Sequence, residues 1–195
     1  MAANKTGTRP MAIKRVPIGK VVDQAVGNHE AAGIMGVHHS IPQRMHDRGW
    51  ITGRETKTAG NRRYTIYDGA DCEANYREYE EKVDARGGKN DRRPRAWLRN
   101  RPTALRFLAM VKTPIAFDDA IGVSEAAEIL GVHPTFVSRL IKSGRVVGRL
   151  TMGRQSKASG ARVWLVSRRS CIANAKSVRA AEADGTKIGR RRKKS

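Results

Sequence analysis

The 195-residue sequence predicts a mainly α fold carrying small β-hairpins, arranged as two tandem copies of one unit. Three observations predict it. Residues 25–54 align without gaps on residues 120–149 at an offset of 95, and 13 of the 30 positions are identical where chance would give about two. Each copy has a run of helix formers that stops at a glycine, then a second run with apolar residues at helical spacing. Each then passes into two β-prone runs around a basic, glycine-containing loop.

The densest identity sets Glu30-Ala31-Ala32-Gly33-Ile34-Met35-Gly36-Val37-His38 against Glu125-Ala126-Ala127-Glu128-Ile129-Leu130-Gly131-Val132-His133. Arg44, Gly49, Gly53 and Arg54 meet Arg139, Gly144, Gly148 and Arg149. Beyond the loop the match resumes at an offset of 100, with Gly60, Arg62, Tyr64 and Ile66 on Gly160, Arg162, Trp164 and Val166, so five extra residues are expected in the second copy. Cys72-x-x-Asn75 matches Cys171-x-x-Asn174 at an offset of 99.

In the second copy Ser124 reads as an N-cap before strong helix formers, and Gly131 suits a sharp left-handed turn. Pro134 suits a first helical position, and Phe136, Val137, Leu140 and Ile141 then recur at helical spacing. This is helix-turn-helix geometry. Val146, Val147 and Leu150 lead through a basic loop to 162–166, which reads as a hairpin. The first copy repeats the plan with 50–52, a loop holding Arg54, Lys57, Arg62 and Arg63, and 64–67. A short helix is expected after each hairpin, over 71–83 and 169–178. The boundaries are then a flexible basic N-terminus 1–16, a first domain 17–83, a basic linker 84–101, a second domain 102–178 and a disordered basic tail 179–195. Trp97, Leu98 and Phe107 suggest an extra helix belonging to the second domain.

Thirty-nine Lys and Arg face 18 Asp and Glu, a net charge of +21 with a pI near 11.0. Clustered cations gain affinity for a polyanion by releasing its counterions, so the expected partner is nucleic acid. With 5% aromatic residues the cores must be modest, which suits two small ones better than one large one. The chain has no run of about 18 apolar residues and no aromatic-faced basic amphipathic helix, so no membrane association is expected. Its first ten residues have no apolar signal region, which points to the cytoplasm. Two cysteines without Cys-x-x-Cys spacing point to neither disulfides nor structural zinc. No metal or other cofactor is expected.

Residues 123–132 and 139–146 resemble the excisionase-type and MerR-type winged helix-turn-helix family, and the first copy is a more divergent version. It departs at Pro42 and at His46, where the second copy has Ile141. The resemblance covers roughly 50 residues in each half. It implies two tandem winged helix-turn-helix domains that bind double-stranded DNA, with each second helix in the major groove. Thr135, Ser138, Arg139 and Lys142 fall opposite Phe136, Leu140 and Ile141; the matching residues are Ser40, Gln43, Arg44 and Asp47. Arg44 and Arg139 suit bidentate contact with guanine, and Gln43 suits adenine. The resemblance gives Arg54, Lys57, Arg62, Arg63, Arg149, Arg154, Lys157 and Arg162 to the wings. Lys187, Arg190, Arg191, Arg192, Lys193 and Lys194 in the tail would add affinity without specificity.

His38 and His133 stand before each second helix, where capping accounts for them better than metal binding does. Cys72 and Cys171 are expected half-buried in the helices after the hairpins, with Tyr76 and Tyr79 packed on the first core. The chain has no phosphate-binding glycine motif, carboxylate cluster or nucleophile with its base, so it is not expected to be an enzyme. The expected role is a phage or mobile-element regulator or an excisionase-like architectural factor, placed on the bacterial nucleoid or in an infected host cell. Self-association, or a recombinase, polymerase or packaging partner, is compatible with it. Two other readings are the small DNA-recognition subunit of a phage packaging terminase and an RNA-binding protein of ribosomal type.

Overall fold

A computed structural model of the chain describes residues 18–58, 62–85, 98–152 and 162–183. The first half comprises α1 (Ile18–Val22), β1 (Ala25–Val26), α2 (Asn28–Met35), α3 (Ile41–Asp47), β2 (Gly53–Lys57), β3 (Arg63–Asp68) and α4 (Gly69–Asp84). Helix α5 (Asn100–Ala109) follows. The second half runs through a 3₁₀ turn at Phe117–Asp119, β4 (Ala120–Ile121), α6 (Val123–Leu130), α7 (Pro134–Lys142), β5 (Gly148–Leu150), β6 (Trp164–Ser167) and α8 (Arg168–Ala183). The result is mainly helical, with two small antiparallel sheets ordered β1-β3-β2 and β4-β6-β5.

The glycine turns form as expected. Gly36 (φ 63°) and Gly131 (φ 72°) end the first helix of each pair in the left-handed region, their N–H groups donating to the carbonyls three and four residues back. A Cβ there would add roughly 1–2 kcal/mol of strain.

Strand register corrects the repeat alignment. β1 and β2 superpose on β4 and β5 at the offset of 95, because Ala25 and Ala120 pair with Asp68 and Ser167, and Arg54 and Arg149 with Ile66 and Leu165. Those partners differ by 99, so the second hairpin carries four extra residues, not five. Trp164 corresponds to Thr65, not Tyr64. A slip of one would have turned every β6 side chain to the wrong face.

Ser124 is not the N-cap of α6. Gly122 is, with extended backbone (φ −82°, ψ 169°), and the Ser124 hydroxyl donates instead to the Thr58 carbonyl of the first half at 2.8 Å. The helices after the hairpins are longer than expected at both ends, and each buries its cysteine.

Helix α5, expected in the second domain, packs on the first. Leu108 is part of the first core, with Val22, Ile34, Met35 and Tyr67. Ala104 lies against Gly33, where even a methyl group would collide with its Cβ at 2.5 Å. Arg101 Nη2 donates to both carboxylate oxygens of Glu73 (2.9 and 2.8 Å), Nη1 donates to the Ile34 carbonyl, and the guanidinium carbon lies 3.6 Å from the Tyr76 ring centre. The second half meets the same need locally: Arg179 of α8 donates to the Ile129 and Leu130 carbonyls at 2.8 and 3.3 Å. Both arginines thus satisfy carbonyls left open at a helix C-terminus.

The halves are joined by a third apolar cluster, in which Ala25 and Ile66 meet Ile115, Ala120 and Leu165. Beside it lies a fully buried Glu30. Its carboxylate accepts from Arg149 Nη1 (2.8 Å) and Nη2 (3.0 Å) and from the backbone N–H groups of Gly27 (2.7 Å) and Met152 (2.8 Å). Arg149 Nη2 also reaches the Ala25 carbonyl at 2.5 Å. The joint is pseudo-symmetric: Thr151 abuts Gly27 as Thr56 abuts Gly122, and side chains at these glycines would not fit.

Candidate nucleic-acid interface

Two surfaces gather most of the described residues expected to bind, and each starts at the second helix of a pair. On α7 the His133 ring caps the helix: Nδ1 accepts from the Thr135 N–H at 3.4 Å and lies 2.9 Å from its hydroxyl. Pro134 follows at the first position, where a missing N–H removes no bond. Val137 and Leu140 are buried, which turns Thr135, Arg139 and Lys142 outward. Ser138 is half-buried and bonded to the Thr135 carbonyl at 3.2 Å. Phe136, expected on the inner face, is half-buried beside Arg139, whose guanidinium carbon stands 5.2 Å from its ring centre.

Helix α3 repeats the outward face but not the cap: Ser40 is its N-cap and makes no side-chain capping bond, and Pro42 stands at its second position. His38 Nδ1 lies 2.9 Å from the Ser40 hydroxyl and accepts from its N–H at 3.3 Å, while Pro42 and Met45 are buried and Ser40 and Arg44 exposed. Gln43, expected to read adenine, is engaged within the protein. Its Oε1 accepts from Thr65 Oγ1 (2.7 Å) and the Tyr67 hydroxyl (3.1 Å), and its Nε2 donates to Asp47 (2.9 Å). Contact with a base would break bonds already made. Burial pushes the Tyr67 hydroxyl up to about 12 and the Tyr64 hydroxyl higher, with the Glu30 charge also raising Tyr64, so both stay protonated donors.

The hairpin cations divide. Lys57, Arg62, Arg63 and Arg162 are exposed. Arg62 and Arg63 share a groove with Ser40, Gln43 and His39, closed on one side by Val163 of the second hairpin. Arg54 and Arg149, expected among the wing contacts, stand at the hairpin roots instead. Arg149 is 6% exposed and committed to Glu30. Arg54 is half-buried, and its Nε and Nη2 are enclosed without a hydrogen-bond partner. Contacts with Glu30 and Ala25 of the other half remove the Arg149 side chain from a surface that the repeat pattern by itself would leave open. Arg154, Lys157 and tail residues 187–194 lie outside the described residues.

His29, His38 and His39 lie ring to ring, at centroid distances of 5.4 and 4.0 Å. Among the described residues no group of three or more His, Cys, Asp or Glu side chains is placed to hold a metal ion, and no helix is long and apolar enough to cross a membrane. Burial, followed by nearby carboxylates, raises both thiols, Cys171 to about 12.

Three features carry no signal in a single copy: the Glu30–Arg149 tie, the Arg101–Glu73 pair and the placement of Lys57 against the other half. The first was foreshadowed by Glu and Arg recurring at both 30/125 and 54/149. Comparison of the chain with family models, curated proteins and solved structures gave no match.

Proposed function

We propose that the chain binds double-stranded DNA as a covalent pseudo-dimer of two winged helix-turn-helix units. One observation carries the reading: Arg44 and Arg139 occupy equivalent, exposed positions on two second helices, each preceded by a left-handed glycine turn and a histidine whose Nδ1 accepts from the backbone N–H two residues on, in a chain of net charge +21. A second helix so placed fits the major groove, and each arginine bonded to a guanine edge would contribute about 1–3 kcal/mol of discrimination. Ser40 and Thr135 flank these arginines, while Lys57, Arg62, Arg63 and Arg162 supply phosphate contacts. Asp47 stands where the second copy has Lys142, so the two half-sites differ and the full site is not a palindrome. A phage or mobile-element regulator or excisionase-like factor is the role this reading favours.

Fluorescence anisotropy against mixed-sequence duplex DNA, with duplex RNA as competitor, tests the proposal. Affinity should fall steeply with salt, by about 0.9 log units per tenfold salt for each phosphate engaged. Equal displacement by RNA would refute it.

A further inference from the structure

The joint between the halves places one hairpin cation where the repeat alone would not. Strand β2 of the first half runs along α6 of the second: Thr56 abuts Gly122, and the Thr58 carbonyl accepts from Ser124. Lys57, between them, is exposed and lines a groove with Glu128, Gly131, Val132 and Pro134, the turn that leads into α7. The reciprocal contact brings Thr151 and Met152 of the second half onto Gly27 and Glu30 of the first. At the offset of 95, Lys57 corresponds to Met152, so the exchange is symmetric in backbone and asymmetric in charge.

We propose that Lys57 engages a DNA phosphate at the half-site read by α7 of the other half, not at the half-site read by its own α3. The inference rests on the DNA-binding reading and adds to it. The cation stands beside the turn from which α7 enters the groove, and an ammonium on a four-carbon stem reaches a phosphate as a point charge. The first wing thus strengthens the second half-site, while Met152 offers no such contact in return. Each half-site is composite, and the one belonging to α7 holds the extra cation.

Lys57→Met, the residue that the other copy carries at this position, provides the test. Half-sites are first assigned by the footprints of Arg44→Ala and Arg139→Ala on a site selected by the intact chain. Lys57 is exposed, so an unchanged thermal melt is expected to accompany Lys57→Met. Its footprint should weaken over the half-site assigned to Arg139, and the log–log salt slope should shrink by about 0.9, the loss of one phosphate. Met152→Lys, which keeps the backbone N–H bonded to Glu30, should enlarge the slope by a similar amount and strengthen the half-site assigned to Arg44. Weakening at the Arg44 half-site after Lys57→Met, or no change in slope, overturns the exchange alone and leaves DNA binding standing. No selected site and no salt-dependent duplex binding by the intact chain overturns the DNA-binding reading, and this inference with it.

Discussion

Arg149→Met isolates the ion pair among the contacts that tie the two halves together. The substitution removes two hydrogen bonds to Glu30 and one to the Ala25 carbonyl, and leaves a fully buried carboxylate held, among the described residues, by the Gly27 and Met152 N–H groups. Breaking a buried pair from one side costs about 3–5 kcal/mol, because the remaining charge is neither hydrated nor compensated. For a chain of this size each kcal/mol lowers Tm by roughly 2–4 °C, so a fall of roughly 6–20 °C is expected. Arg54→Met is the internal control. It stands at the equivalent strand position, and its enclosed Nε and Nη2 have no partner to lose. Its expected effect lies within about 0.5 kcal/mol of zero or is stabilising, since removing an unpaired buried polar group relieves desolvation. Urea unfolding and calorimetry on both variants measure the difference. Equal losses, or a loss under about 1 kcal/mol for Arg149→Met, would refute the claim that this ion pair contributes to the joint.

Arg101→Ala should destabilise the first half by about 3 kcal/mol, because among the described residues Glu73 then keeps only the exposed Arg77 as a cationic partner, with faster amide exchange across Asn100–Ala109 as the readout. Gly131→Ala should cost about 1–2 kcal/mol in thermal unfolding, since its φ of 72° strains any Cβ and Arg179 Nε would lie 2.9 Å from it. Both thiols should resist an aromatic disulfide reagent at pH 8 until urea unfolds the chain. Their raised pKa values also make stability alkali-sensitive. An unfolded thiol ionises near 9, whereas Cys171 in the fold holds its proton to about 12, so its contribution is intact below pH 9 and is lost as pH rises between those values. Cys171→Ser should flatten that decline in a pH series of urea melts.

Much of the fold was legible because its signals are local. Glycine at 36 and 131, proline at 134 and the apolar spacing of Val137 and Leu140 each act within one or two turns of chain, and the duplication states them twice. What was not legible depends on contacts across long separations. Gapless matching puts five extra residues in the second hairpin because it cannot locate an insertion inside a loop, whereas strand pairing fixes the number at four. The half to which helix α5 belongs is not legible in the sequence, because Leu108 and Ala104 look apolar whichever core they enter; the absence of a side chain at Gly33 admits them to the first. Arg149 looks like a wing cation from its neighbours in sequence, and it takes Glu30 and Ala25 of the other half to hold it inside. Gln43 looks like a base reader until Thr65 and Tyr67, more than twenty residues away, engage its oxygen.

Selection on random duplex DNA at near-physiological salt, comparing the intact chain with the Arg44→Ala, Arg139→Ala double variant, tests the central claim most directly. The account predicts an asymmetric two-part motif that the double variant loses while its melting temperature is retained, both side chains being exposed. A palindromic motif, or indifference to sequence in both proteins, would contradict it.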